Sequence, residues 1–587
     1  MTRAVPWFFV VSGVFAAAWF AGASLPTRVA LAAQAPPAQV RPADLVLTNG
    51  KIVTVDDQVP DAQAMAVNGD TITALGSNQD MQRYVGPGTK IVDLHGALAT
   101  PGLMEGHAHF TGVGDAARNL KLAEARTWDD IVRLVGEAAA TARPGEWIIG
   151  RGWHQEKWAS VPTPNVEGFP VHDALSRVSP NNPVWLTHAS GHAGFANAVA
   201  MELAKVARTT PDPPGGTILR DKAGNATGLF NERAQGFISD ALSKSRVGRT
   251  PAEVEADLRT QIELASREAL AKGLTTVTDA GSPPLTIEVM KKVVDEKKLP
   301  VRVWMMLREG PEKLEADMPK YRVVNYGDKR FTVRAVKRQI DGALGSRGAW
   351  MLQPYADLAT TSGMNTDSPG DIRETSALAA QFDYQVAVHA IGDRANHEVL
   401  NIFEETFTRL KKDGKALRWR IEHAQHINAA DIPRFGKLGV IAAMQGIHAT
   451  SDAPYVLARL GPVRAEEGAY VWQKLMKTGA VIANGTDAPV EDINPIASYY
   501  ASVSRRTSDG TVFFPEQRMS RMEALRSYTI NVAFAEFDEG IKGSLKPGKL
   551  ADVTVFSKDI LTVPEADIPT TKILYTIVGG QIAYESK

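Results

Sequence analysis

Eight short apolar runs constrain this chain most: one enters His107, and the others lie at 275–277, 301–305, 335–340, 386–389, 420–423, 440–444 and 481–483. The last seven alternate with helical stretches, and residues 251–272 carry the pattern of a long amphipathic helix before the second run. Repeated strand–helix alternation builds a parallel sheet, and eight such units close a (β/α)8, TIM-like barrel of α/β class. In such a barrel the chemistry sits where the strands end.

Those ends are where this sequence concentrates reactive side chains. His107 and His109 follow the first run and Asp279 the second; Lys337 lies on the fourth and Asp341 just after it; His389 ends the fifth, His423 the sixth, and Asp487 follows the eighth. Residues two apart in an extended chain point the same way, so His107 and His109 offer two imidazoles to one side. By itself such a pair fits a metal site, a surface or a core equally. The chain has no cysteine, which removes thiolate ligands and nucleophiles and leaves His, carboxylate or modified Lys to hold a metal.

The rest of the chain divides around this barrel, expected at 101–540. Short β-rich runs punctuated by glycine at 43–100 and again at 541–587 predict a small β-sandwich built from both chain ends. The stretch at about 111–250 is too long for a connection and holds five of the eleven tryptophans, so it is expected to be an inserted subdomain closing over the barrel mouth. Arg3, the apolar run 5–23 and the small residues Ala30 and Ala32 predict a signal peptide over 1–32 and a proline-rich linker over 33–42. The expectation is an exported protein, periplasmic or secreted, without stable membrane association after cleavage; an uncleaved anchor is the competing reading. Lys plus Arg number 65 against 66 acids, which argues against nucleic acid as a partner.

The stretch Pro101-Gly102-Leu103-Met104-Glu105-Gly106-His107-Ala108-His109 resembles the first-strand motif of the amidohydrolase superfamily. Val336-Lys337-Arg338-Gln339-Ile340-Asp341-Gly342 and the residues to Ala349 resemble the fourth-strand segment of its amidohydrolase 3, YtcJ-like branch, which includes N-substituted formamide deformylase. Val388-His389-Ala390, Arg420-Ile421-Glu422-His423, Gly485-Thr486-Asp487 and the stretch from Gly543 to Asp552 resemble further motifs of that family, in the same order. The resemblance covers residues 43–587. It implies a divalent metal, zinc first with manganese, iron or cobalt as alternatives, and one or two ions per chain. The implied ligands are His107, His109, Lys337, His389, His423 and Asp487, with Lys337 carboxylated as a bridge, because a bare ammonium has no lone pair to give.

The implied activity is hydrolysis of an amide or related C–N bond, N-acyl, N-formyl or cyclic, by a metal-activated water with Asp487 as general base. The same site also suits an ester or lactone, and a binding protein without turnover is the third reading. His192 and His448 match pocket positions of the branch as catalytic groups for the substrate carbonyl; the family usually has proline where Gly446 stands. Trp153 and Trp158 are candidate apolar pocket walls, although tryptophans more often pack in a core, and Arg347 and Arg394 are candidates for a substrate carboxylate, with structural ion pairing the alternative. The expected partner is a small-molecule substrate, with a homodimer by analogy. No phosphate loop, dinucleotide fingerprint or serine nucleophile elbow is present, so no nucleotide cofactor or serine hydrolase is implied.

Overall fold

The computed structural model describes residues 40–245 and 249–586. The expected signal peptide, 1–32, and most of the expected linker lie outside them. Among the described residues no helix is long and apolar enough to cross a membrane.

Eight parallel strands pair in sequence order: β1 Leu103–Ala108, β2 Leu274–Ser282, β3 Arg302–Leu307, β4 Phe331–Gln339, β5 Gln385–Ala390, β6 Arg420–His423, β7 Ile441–Gln445 and β8 Ile482–Gly485. Each apolar run of the sequence became one of them. Nearly every strand residue is buried, as expected of parallel strands covered by helices outside and filled by side chains within. The barrel is nearly closed. Across the seam between β1 and β8, the Asp487 N–H donates to the His107 carbonyl at 2.7 Å and the Thr486 N–H to the Glu105 carboxylate at 2.7 Å.

The helix Pro251–Ala271 leads into β2. Thr250 caps it in a reciprocal box with Glu253, and Pro251 occupies its first turn, where a missing N–H loses nothing. It ends at Ala271 with Lys272 as its cap, and Gly273 follows, where a φ of 85° and the approach to Thr554 leave no room for a Cβ.

The two chain ends form two facing sheets. One consists of Leu45–Thr48, Ala64–Asn68, Thr71–Gly76 and Lys90–Asp93; the other joins Lys51–Val53, Asp61–Ala62 and Leu98–Pro101 to Val553–Phe556, Ile573–Val578 and Gln581–Glu585. Leu45, Leu47, Ile52, Met65, Val553, Val555 and Ile577 fill the space between them. The barrel is pinned to this sandwich by a buried fork: Arg302 of β3 reaches Asp552 through Nε at 2.7 Å and a terminal nitrogen at 3.0 Å. Burial alone would raise the Asp552 carboxyl, but the Arg302 charge holds it below the ordinary carboxylate value.

Residues 120–245 form a separate six-stranded sheet with its own helices, ordered Gly216–Arg220, Ala226–Glu232, Ala193–Ala196, Val184–His188, Ile148–Trp153, Leu120–Lys121. Its core gathers Leu122, Trp128, Val135, Trp153, Trp158, Phe195 and Leu229. Trp153 is fully buried, donates from its indole to the Leu186 carbonyl at 2.8 Å and stacks on Trp158 at 5.9 Å. This corrects the reading of Trp153 and Trp158 as pocket walls: their size serves a subdomain core that must stand alone.

Candidate metal centre

Strand geometry brings Glu105, His107 and His109 to one side of β1. Glu105 lies deepest, accepting from the His107 and Thr486 N–H groups and the Thr486 hydroxyl. Burial pushes its carboxyl up to about 7 against those bonds. The backbone past β1 is held by Asp279, which accepts from the Phe110 N–H at 2.9 Å, from the Gly281 N–H and from Ser282. Asp341 does the same after β4, accepting from the N–H groups of Trp350, Ile391 and Gly392. These two strand-end aspartates therefore shape loops.

Four imidazoles and Asp487 converge above them. The His107 ring centroid lies 4.6 Å from that of His423, which lies 4.5 Å from that of His389, and the His389 ring lies 5.1 Å from His192. Asp487 Oδ1 sits 3.3 Å from His107 Nε2 and 3.4 Å from His109 Nε2, yet makes no hydrogen bond to either. Asp487 and His423 reach this position with φ of 56° and 73°, and a third positive φ, 49°, occurs at Glu232. Such conformations cost energy and persist where the surroundings impose them. At His423 the effect is specific: strict alternation would send Glu422 and His423 to opposite faces, and the turn lets both reach His107.

Hydrogen bonds on the far nitrogens decide what each imidazole offers. His107 Nδ1 is bonded to Glu422, itself held by Arg420 at 2.7 and 2.9 Å, and His423 Nδ1 donates to Gln445 Oε1 at 2.8 Å. Both rings thus present a bare Nε2. His448 is the reverse: its Nδ1 accepts from the Gln425 amide at 3.0 Å, which puts the proton on Nε2. His192 bonds Glu232 Oε2 through Nδ1 at 3.0 Å; burial alone would lower its pKa, but the Glu232 charge holds it above the ordinary imidazole value.

A cation fits here. His107 Nε2, His389 Nε2 and Asp487 Oδ1 are buried without a hydrogen-bond partner among the described residues, a costly state for polar atoms that a metal relieves. Ligand atoms of His107, His109 and Asp487 lie within 4.8 Å of one another; His423 and Asp487 are equally close, in a group completed by His448, whose Nδ1 is taken by Gln425 and whose Nε2 carries the proton, so it is not counted as a ligand. His389 falls outside both groups, with its Nε2 3.6 Å from Asp341. Lys337, on β4, is buried, is in no ion pair among the described residues, and is pulled by burial down to about 8. That enlarges its free-amine share, the form whose lone pair can attack carbon dioxide.

Two other expected residues are elsewhere. Arg347 pairs with Asp357 at 3.1 Å, and Arg394 pairs with Glu398 one helical turn on while lying over the Trp350 ring. Both serve local ion pairs, which corrects their assignment to a substrate carboxylate. Glu422, Gln445, Gln425 and Glu232 were not foreseen. Glu232 left an indirect signal, since its Oε1 would stand 2.2 and 2.5 Å from a Cβ at Gly342 and Gly348. Those glycines of the fourth-strand segment make its room.

A family model described as "Amidohydrolase family" matches residues 90–584. The chain belongs to this family. It is 33% identical to Protein LONG AFTER FAR-RED 3 of Arabidopsis thaliana, over 94% of this chain and 93% of that one. It is 29% identical to the putative amidohydrolase YtcJ of Bacillus subtilis (91% and 98% covered), and 26% identical to N-substituted formamide deformylase of Arthrobacter pascens (92% and 98%). The crystal structure of an uncharacterized metal-dependent hydrolase from Pyrococcus furiosus superposes with a TM-score of 0.68 at 25% identity, over 88% of this chain and all of that one. These relatives agree with membership of the amidohydrolase superfamily, a family of metal-dependent hydrolases, and leave the scissile bond open.

Proposed function

We propose that this protein hydrolyses an amide or related C–N bond of a small molecule, with His107, His109, carboxylated Lys337, His389, His423 and Asp487 holding divalent metal, zinc first. The observation that carries the reading is the set of unpartnered, mutually facing ligand atoms at the ends of barrel strands. When bound, a divalent ion lowers the pKa of water and polarises a carbonyl.

The chain's own groups supply the rest. Asp487, whose Oδ1 faces the other ligand atoms without a hydrogen bond, is placed to accept the proton of an attacking water. It then returns that proton to the leaving nitrogen. His448 offers its Nε2 proton to the substrate carbonyl oxygen, where negative charge develops. His192 faces the same space from the insertion, its ring fixed by Glu232.

A panel of matched amides, esters and lactones tests the bond, with Asp487→Asn as control. Turnover confined to amides and lost in the variant supports the reading; turnover of esters or lactones alone overturns it. The apolar N-terminal run supports export with cleavage after Ala32. Sequencing of protein recovered from the periplasm or medium then reads from residue 33, whereas an intact N-terminus contradicts cleavage.

A further inference from the structure

Two cavities meet at the histidine cluster and share His192, His389, His423 and Asp487 as a common wall. One, a narrow pocket, is bounded by His154, Leu344, Ile391, His448 and Tyr455. The other, a wider and more open cleft, runs between the insertion and the barrel rim and is lined by Arg151, Glu232, Arg233, Arg308, Lys337 and Asp367. A substrate lying across the cluster therefore places its two halves in different chemistry.

The cations of the second cleft are not equivalent. Arg233 is paired with Asp367 at 3.2 Å, and Arg338 pairs with the same carboxylate at 3.2 Å. Arg151 and Arg308 have no carboxylate within 4.0 Å among the described residues. Arg151 donates from Nε to the Pro489 carbonyl at 2.8 Å and from a terminal nitrogen to the Ala189 carbonyl at 3.3 Å. Arg308, at the end of β3, donates to the Gln339 side chain at 3.1 Å and has its stem beside that of Lys337. Burial pulls the Arg151 guanidinium down to about 10, with only the charge of Asp487 in opposition. Arg151 is half-buried and bonded only to neutral groups, whereas Arg308 is exposed in the cleft lining; a carboxylate pairs with a guanidinium through two parallel hydrogen bonds.

We propose that this cleft binds a carboxylate carried by the substrate, with Arg151 on one side and Arg308 on the other, so that the protein acts on amides of the N-acyl amino acid type. The inference rests on the amide reading above. A monoanion suits the cleft better than a phosphate, because Glu232 and Asp367 stand in the same lining. It also moves the carboxylate contact from Arg347 and Arg394, which are occupied, to arginines that are not.

Matched pairs test it: N-acetylalanine, N-acetylleucine and N-acetylphenylalanine, each beside the N-acetylamine lacking only the carboxylate, assayed with metal-loaded protein. The non-hydrolysable N-methanesulfonyl analogues of both members give binding by calorimetry. Kd and KM are expected to be about tenfold or more lower for the carboxylate member, and Arg308→Gln to raise them about tenfold while the neutral member stays within about twofold. Arg151→Lys keeps the charge but loses the fork, and is expected to weaken the same member alone. Equal or better use of the neutral amides overturns the proposal, as does an equal loss of both members in Arg308→Gln. Acetate inhibition relieved by Arg308→Gln, with no preference within the pairs, would put the released acid in the cleft and also overturn it. Selective binding of the sulfonyl acids without turnover of any amide upholds the cleft and refutes the amide reading.

Discussion

His107, Lys337, His389 and His423 reach the centre from barrel strands, while His192 and Glu232 reach it from the insertion, and the two sets are positioned by different means. A barrel strand fixes its residues by register: once β1 is paired, His107 points inward whatever surrounds it. The insertion has no such rail. His192 lies in the turn between Val184–His188 and Ala193–Ala196, and it faces His389 only because Glu232, at a φ of 49°, holds its Nδ1 and two barrel glycines admit the Glu232 carboxylate. One group of residues is placed by topology and the other by long-range fit, so damage to each should look different.

The sharpest separation is at Asp487. Asp487→Asn is expected to lower turnover by about 10²–10⁴-fold, the range of general acid–base catalysis, while most of the metal stays bound; steady-state rates and metal analysis on one preparation check both. Next in size is Trp153→Ala, which empties the core of the insertion. Its cost of about 3–5 kcal/mol should appear as faster hydrogen exchange within 120–245, with protection of the barrel strands and metal content unchanged. Faster exchange in the barrel strands as well would show that the two regions do not respond separately.

Asp552→Asn tests a barrel contact that does not involve the site. Removing one partner of a buried ion pair is expected to cost about 3–5 kcal/mol at neutral pH by denaturant unfolding. The Asp552 carboxyl is held below its ordinary value of 3.8, so its contribution is present above that pH and fades as the pH falls through the folded value. The gap between variant and parent should therefore narrow in acid; a constant gap would assign the loss to packing. The smallest effect is expected at Glu232→Gln, which keeps an acceptor for His192 but removes the charge. A fall in kcat of about tenfold, with metal content unchanged, follows from losing a charge-assisted hydrogen bond. Loss of metal instead would make the insertion part of the ligand scaffold.

The legible part of the molecule follows the same division. The eight strands, the helix before β2 and the two-ended sandwich could be read because their signals are local: apolar runs, an amphipathic helical period, glycines at turns. The strand-end residues of the centre were legible once register placed them. Glu422 was not, since alternation assigns it to the face opposite His423 and only the positive φ of His423 brings both inward. Trp153 and Trp158 misled because a large aromatic residue under a barrel mouth reads alike as pocket or core until a separate core is seen. Arg347 and Arg394 misled because their partners, Asp357 and Glu398, are ordinary acids in sequence; Arg151 and Arg308 emerged only when the missing partner could be seen.

The central claim is that strand-end ligands assemble a metal centre. Metal content per chain, measured by plasma mass spectrometry on protein purified without chelators, tests it directly when the parent is set beside His389→Ala. The account predicts about two divalent ions in the parent, the stoichiometry of a two-metal site, and fewer in the variant. One ion or none, unchanged by the substitution, would contradict it and remove His389 from the ligand set.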